Sequence, residues 1–72
     1  MDFSFQLKKL RQEKKLSQFQ LAELLCVSPR QIIRYEKGEQ EPTISIAKKI
    51  ALYFGVSLDY LCGLSDDPQL KV

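Results

Sequence analysis

Three cations at helical spacing are the residues of this chain best suited to bind a ligand. Arg30, Arg34 and Lys37 recur at intervals of three and four residues, so a helix would place them on one face. Ile32 and Tyr35 would lie on the opposite face. A guanidinium group donates two parallel hydrogen bonds to a phosphate or to the major-groove edge of guanine. The spacing therefore favours a short nucleic-acid-binding helix, although any surface helix carries charges and the arginines alone do not decide it.

The helix that carries these cations is predicted by its start signals, and the same signals occur one short helix earlier. Ser28 is a favoured N-cap residue, and Gln31 three residues later would complete a capping box. Ser17 and Gln20 form the equivalent pair at the earlier start. Two starts this close together leave room for about two turns of helix between them. The segment 17–37 is therefore predicted to be two short helices joined by a tight turn.

The composition describes one small globular domain and excludes several classes of protein. The chain has 72 residues, of which 44% are hydrophobic and 28% charged, as expected for a single domain. No apolar run approaches the ~20 residues of a membrane span, and the alternation of apolar and polar residues from Phe3 onward predicts no secretory signal. The net charge of +2 is far below that of a basic nucleic-acid tail, so a local patch would have to meet the phosphates. We expect no membrane association.

The chain lacks the usual ingredients of a metal centre or an active site. It contains no histidine, and Cys26 and Cys62 lie too far apart for the common zinc spacings. No glycine-rich phosphate loop or nucleophile-acid group is evident either. The sequence therefore predicts no metal, no cofactor and no enzymatic activity. The two cysteines are expected to be small buried thiols.

Apolar residues at helical spacing predict three more helices. The first covers about residues 1–15 and is capped by either Asp2 or Ser4. A fourth begins at Thr43, and a fifth begins near Ser57. The residues outside the first helix that are expected to face the core include Leu21, Leu24, Leu25, Ile44, Ala47, Ile50, Ala51 and Phe54. The expected architecture is an all-α, compact five-helix domain over 1–64, followed by a flexible C-terminal tail at 65–72.

The pattern resembles the helix-turn-helix of phage-repressor-like regulators, the Cro-like or XRE family. The matching residues are Gln18, Leu21, Ala22, Val27, Ser28, Ile32, Tyr35, Glu36, Gly38 and Pro42, with LKKLR at 7–11 and KIALYFGVSLDYLCG at 49–63. The resemblance implies a DNA-binding transcriptional regulator, most often a repressor, that is bacterial or phage-encoded and cytoplasmic. The main departure is Cys26, because the family usually has glycine there to allow a positive φ.

The resemblance also implies which residues contact duplex DNA. They are Gln18, Ser28, Pro29, Arg30, Gln31, Ile33, Arg34 and Lys37. Arg30 and Arg34 would read base edges, with guanine as the favoured partner, and Pro29 and Ile33 would meet thymine methyl groups. Gln31 would contact a base or a phosphate, and the remaining residues would contact phosphates.

Two further contacts are expected within the chain or between copies of it. The resemblance implies that Arg11 pairs with Glu36, which would tie the first helix to the third. Tyr60, Cys62 and Leu64 supply more apolar surface than one short helix needs, so they either form a homodimer contact or complete the monomer core. A two-fold dimer would present two reading helices about 34 Å apart to a palindromic operator. The alternative function is an antitoxin-like interaction module whose main partner is another protein.

Overall fold

Five α-helices make up the part of the chain that the computed structural model describes, residues 2–64. Their bounds are α1 Phe3–Glu13, α2 Gln18–Leu25, α3 Pro29–Glu36, α4 Ile44–Phe54 and α5 Leu58–Leu61. The range contains no β-strand, so the predicted all-α, five-helix architecture is confirmed. None of these helices is both long and apolar enough to cross a membrane. The predicted tail at 65–72 lies outside the described residues.

Each helix begins at the residue that its sequence provides as an N-cap. Four hydroxyl caps accept a hydrogen bond from the backbone N–H three residues later: Ser17, Ser28, Thr43 and Ser57. At α1 the cap is Asp2 rather than Ser4. The Asp2 carboxylate accepts hydrogen bonds from the Ser4 hydroxyl at 2.7 Å and from the Phe5 N–H at 3.1 Å. These two bonds stabilise the ionised form, so the pKa of Asp2 lies below its ordinary value.

The start of α3 differs from that of α2 by one hydrogen bond. At α2 the capping box is complete, because the Ser17 N–H also donates to Gln20 Oε1 at 2.9 Å. At α3 Ser28 Oγ accepts from the Gln31 N–H, but the Gln31 side chain does not return to Ser28. It donates instead to the Tyr35 hydroxyl, one turn further along the helix. The predicted second capping box is therefore only half formed, because this amide has another partner within reach.

One cluster of buried side chains joins the helices. Its members are Leu7, Leu10, Leu21, Ala22, Leu25, Ile32, Tyr35, Ile50, Ala51, Val56, Tyr60 and Leu61. Leu24 and Ile44 were expected to face this core, but they are 50% and 74% exposed. The buried face of α2 consists of Leu21, Ala22 and Leu25, and Leu24 lies to one side of it. Ile44 is the first residue of α4, so it lies at the edge of the core instead of inside it.

Two further expectations concern residues near the motif turn and the C-terminal helix. Both thiols are exposed, so the prediction that Cys26 and Cys62 are buried is wrong. Each lies at the C-cap of its helix, where the chain turns at the surface. Tyr60 is buried in the core cluster, and its hydroxyl accepts a hydrogen bond from Lys9 Nζ at 3.3 Å. Of the two alternatives for Tyr60, the structure therefore shows the one in which it completes the monomer core.

Candidate nucleic-acid interface

The turn at residues 26–28 sets the angle between α2 and α3. Cys26 has φ 58° and ψ 40°, which is the left-handed conformation that glycine usually supplies. The Val27 N–H donates to the Ala22 carbonyl at 3.0 Å, and the Cys26 N–H donates to the Glu23 carbonyl at 3.2 Å. These two bonds form a Schellman motif, which satisfies carbonyl groups at the end of α2. The turn thus keeps the glycine-like backbone even though a β-carbon is present.

A polar cluster fixes α3 against the two preceding helices. Arg11 Nε lies 2.6 Å from Glu36 Oε2, and Arg11 Nη2 donates to Glu36 Oε1 at 3.1 Å, so the pair is bidentate. Arg11 Nη1 also donates to the Leu16 carbonyl at 2.8 Å. The two charged side chains are only 12% and 4% exposed. The pair that the resemblance implied is therefore present, and it holds the C-terminal end of α3 to α1.

Gln18 belongs to the same cluster. Its Nε2 donates to Glu36 Oε1 at 3.0 Å, which joins the first residue of α2 to the last residue of α3. Sequence reasoning proposed a phosphate contact for Gln18 and missed this bond. The available signal was that a bidentate pair with Arg11 still leaves Glu36 able to accept another hydrogen bond. A phosphate contact through the Gln18 carboxamide would have to compete with Glu36.

The opposite side of α3 projects into solvent. Ile32 and Tyr35 are essentially fully buried, whereas Arg30, Arg34 and Lys37 are exposed. Within residues 2–64 the ion pair of Arg11 and Glu36 is the only one, so neither Arg30 nor Arg34 is committed to a carboxylate there.

The remaining predicted contact residues flank this exposed side. Ser28 is exposed, and its Oγ accepts from the Gln31 N–H, so its own O–H stays able to donate. Pro29, Gln31 and Ile33 are half-buried. The resulting surface combines guanidinium groups with a hydroxyl, an amide and apolar edges. Such a mixture can meet both the phosphates and the base edges of a DNA groove.

A second exposed surface lies on α4 and α5 and is apolar. Ile44, Leu52 and Leu58 are exposed at 74%, 70% and 38%. Beside them is a groove of about 340 Å³ whose lining includes Ile44, Ala47, Leu58 and Cys62. Sequence reasoning missed Ile44, Leu52 and Leu58 as surface residues. The available signal was Lys48, which lies four residues from both Ile44 and Leu52 and so places them on the charged, exposed side of α4. We call this surface the α4–α5 face.

Two helices joined by a tight left-handed turn, with the second helix anchored on one side and exposed on the other, define a helix-turn-helix domain. The family model described as helix-turn-helix matches residues 7–61. This chain belongs to the helix-turn-helix family, in agreement with the resemblance to phage-repressor-like regulators.

Similar proteins carry the same description. The chain is 36% identical over 66 residues to YobD, an uncharacterised HTH-type transcriptional regulator of Bacillus subtilis. The match covers 92% of this chain and 59% of YobD. The chain is 33% identical to the cryptic phage CTXphi transcriptional repressor RstR of Vibrio cholerae, covering 96% of this chain and 65% of the repressor. A crystal structure of a transcriptional regulator from Listeria innocua superimposes with a TM-score of 0.83 at 37% identity, over 90% of this chain and 61% of that one.

These comparisons establish the family. The chain is a helix-turn-helix domain of the kind found in DNA-binding transcriptional regulators, and the curated relatives named above are described as regulators and not as enzymes. It spans about three fifths of the length of YobD and of the Listeria regulator. The antitoxin-like alternative gains no support from these relatives, which are described as regulators and a phage repressor.

Proposed function

We propose that this chain is a dimeric repressor that reads a palindromic operator by placing α3 in the major groove. The observation that carries the proposal is the state of Arg30 and Arg34. Both are exposed on a helix whose other side is buried, and neither is paired with a carboxylate of the described chain. Two free guanidinium groups on a rigid support are suited to bidentate bonds with guanine.

The neighbouring residues complete the proposed contacts. Pro29 and Ile33 would meet thymine methyl groups by apolar contact, while Ser28 and Lys37 would donate to phosphates. Gln18 would also reach a phosphate, provided that its carboxamide leaves Glu36 or that its backbone N–H at the start of α2 makes the contact. Repression is proposed because it is the commoner role that the resemblance implies; the names of the relatives do not choose, since one is a phage repressor of Vibrio cholerae and another a transcriptional activator of Enterococcus faecalis.

The α4–α5 face is the proposed dimer contact. Exposed apolar side chains gather there, and Cys62, one of the residues expected at a dimer contact, lines its groove. Leu64, the other, is exposed three residues after the end of α5. We leave Tyr60 out of the proposed contact, because it is buried in the core cluster of one copy. Two copies joined through this face would present two α3 helices to successive major grooves about 34 Å apart on one side of the duplex.

The proposal is tested by substituting Arg34 and measuring binding to a cognate site and to random duplex. Arg34→Ala should lose about 1–3 kcal/mol on the cognate site and relax the preference at one base position. Arg34→Lys is the matched control, because it keeps the charge but loses the bidentate geometry. It should bind random duplex as the natural protein does and should still lose the base preference.

Two results would contradict the proposal. Equal weakening of Arg34→Ala on cognate and random DNA would make Arg34 a phosphate contact only. An absence of measurable DNA binding at low salt would favour the protein-partner alternative. A salt titration supports the measurement. The logarithm of the affinity should fall linearly with the logarithm of the salt concentration, with a slope near −0.9 for each phosphate contact.

A further inference from the structure

The α4–α5 face carries opposite charges on its two sides. Next to the groove of about 340 Å³ is a second depression of about 210 Å³, which is lined by Lys48, Ala51, Leu52 and Leu58. Leu58 lines both of them, so it lies near the middle of the face. The groove on one side of Leu58 has Glu41 in its lining, whereas the depression on the other side has Lys48. The face is therefore acidic on one side, apolar in the middle and basic on the other side.

Glu41 and Lys48 have no partner of opposite charge in their own copy. Both are exposed, and among the residues that the structure describes the one ion pair joins Arg11 and Glu36. Asp2 lines the same groove as Glu41, but its Oδ1 already accepts the two hydrogen bonds at the start of α1. Glu41 is therefore the carboxylate of this side that is able to pair with a second molecule.

Two-fold symmetry relates the two sides of such a face. If residue i of one copy meets residue j of the other, residue j of the first copy also meets residue i of the second. When the two-fold axis passes beside Leu58, the basic side of each copy lies opposite the acidic side of the other. The contact then contains the pairing of Lys48 with Glu41 twice, on either side of an apolar centre. A second copy of this chain thus supplies everything that the face requires of a partner.

A contact through this face also requires such a pairing. Lys48 shares its depression with Leu52 and Leu58, so a molecule that covers these apolar side chains also removes water from the ammonium group. That loss of water costs free energy unless a carboxylate replaces it. Any alignment that places like charges opposite each other is unfavourable. The two charges therefore select one alignment of the copies.

We propose that two copies of this chain pair through the α4–α5 face in a single alignment, in which Lys48 of each copy forms an ion pair with Glu41 of the other. The inference rests on the dimer of the proposed function. It adds the ion pair that selects the partner and fixes how the two copies, and hence the two α3 helices, are aligned.

The test is charge reversal followed by mixing, with the dimer dissociation constant measured by sedimentation equilibrium at about 0.15 M salt. Lys48→Glu places a carboxylate opposite Glu41, and Glu41→Lys places an ammonium group opposite Lys48. Each variant alone should dimerise about tenfold or more weakly than the natural protein. An equimolar mixture of the two should recover dimerisation as a heterodimer, because both pairings in it again join opposite charges. The double variant Lys48→Glu, Glu41→Lys should recover it within one kind of chain.

The matched control is Lys49→Glu, which makes the same change of charge at the next exposed position of α4. Lys49 lies about 100° further round the helix than Lys48 and lines neither depression. Lys49→Glu alone should change the dissociation constant far less than Lys48→Glu does. Mixed with Glu41→Lys, it should not recover dimerisation. This arm separates a specific pair from a general effect of net charge.

Several outcomes overturn the inference. It fails if both single variants dimerise as the natural protein does, if their mixture is no tighter than either alone, or if Lys49→Glu recovers dimerisation as well as Lys48→Glu does. A loss of helix content in circular dichroism for either single variant would also contradict it, because the side chain would then serve the fold of one copy. A natural protein that stays monomeric with and without DNA contradicts the dimer of the proposed function as well. A natural dimer that neither reversal weakens contradicts only this inference.

Discussion

Replacing Cys26 with glycine should make the domain more stable. Cys26 lies at φ 58° and ψ 40°, where a β-carbon costs about 1–2 kcal/mol. Glycine removes that cost but adds about 0.4–1 kcal/mol of conformational entropy to the unfolded chain. The thiol is exposed, so its removal sacrifices little packing. The expected net gain for Cys26→Gly is about 1 kcal/mol, and in a domain of this size 1 kcal/mol raises the Tm by about 4–8 °C.

The matched control is Cys26→Ala, which removes the sulfur but keeps the β-carbon. Its Tm should stay close to that of the natural protein, so the difference between the glycine and alanine variants isolates the backbone term. Thermal unfolding followed by circular dichroism under reducing conditions measures both. Lys15 has a similar φ of 57°, and Lys15→Gly should give a gain of the same sign. If Cys26→Gly is no more stable than Cys26→Ala, the conformation at this turn does not carry the strain inferred here.

Three other predictions concern the polar cluster, the α4–α5 face and the N-cap of α1. Glu36→Ala should destabilise the domain by about 3 kcal/mol in chemical denaturation, because it leaves the largely buried Arg11 without its partner. The control is Glu23→Ala, at an exposed position on α2, which should change stability by less than about 0.5 kcal/mol. Ile44→Glu should leave a folded monomer in sedimentation, because it places a charge in the proposed dimer contact. The pKa of Asp2 is lower in the folded protein than in the unfolded chain, where it is near 4, so the ionised carboxylate stabilises the fold above that pH. The stability difference between the natural protein and Asp2→Ala should therefore shrink as the pH falls below about 4.

Each of these three predictions has a contrary result. A Glu36→Ala variant as stable as the Glu23→Ala control would show that the cluster adds nothing to stability. An Ile44→Glu variant that sediments as the natural protein does would place the dimer contact elsewhere or exclude a dimer. A stability gap for Asp2→Ala that does not change between pH 7 and acidic pH would show that the ionised carboxylate is not what caps α1.

The helix starts could be predicted from the sequence because capping is local chemistry. A hydroxyl at Ser17, Ser28, Thr43 or Ser57 needs only the backbone three residues later, and that geometry is the same in any helix. The buried side of α3 could also be predicted from the sequence, because the spacing of Ile32 and Tyr35 places them on one face of a helix.

The departures depend on which element packs where. Leu24 and Ile44 are apolar and lie at spacings compatible with a core position. Other residues of the same helices occupy the core, and both side chains remain exposed. The two hydrogen bonds that the sequence did not reveal, from Gln18 to Glu36 and from Gln31 to Tyr35, are choices between partners of similar chemistry. Such choices are settled by distance in the folded chain, and spacing along the sequence does not report distance.

Selection of bound sites from a random duplex library by the natural protein and by an Arg30→Ala, Arg34→Ala double variant tests the central claim most directly. The natural protein should enrich a two-fold symmetric consensus whose half-sites are centred about one helical turn apart, and the double variant should enrich none. DNA recovered without any consensus, or the same consensus recovered by both proteins, would contradict the claim that α3 reads the base sequence.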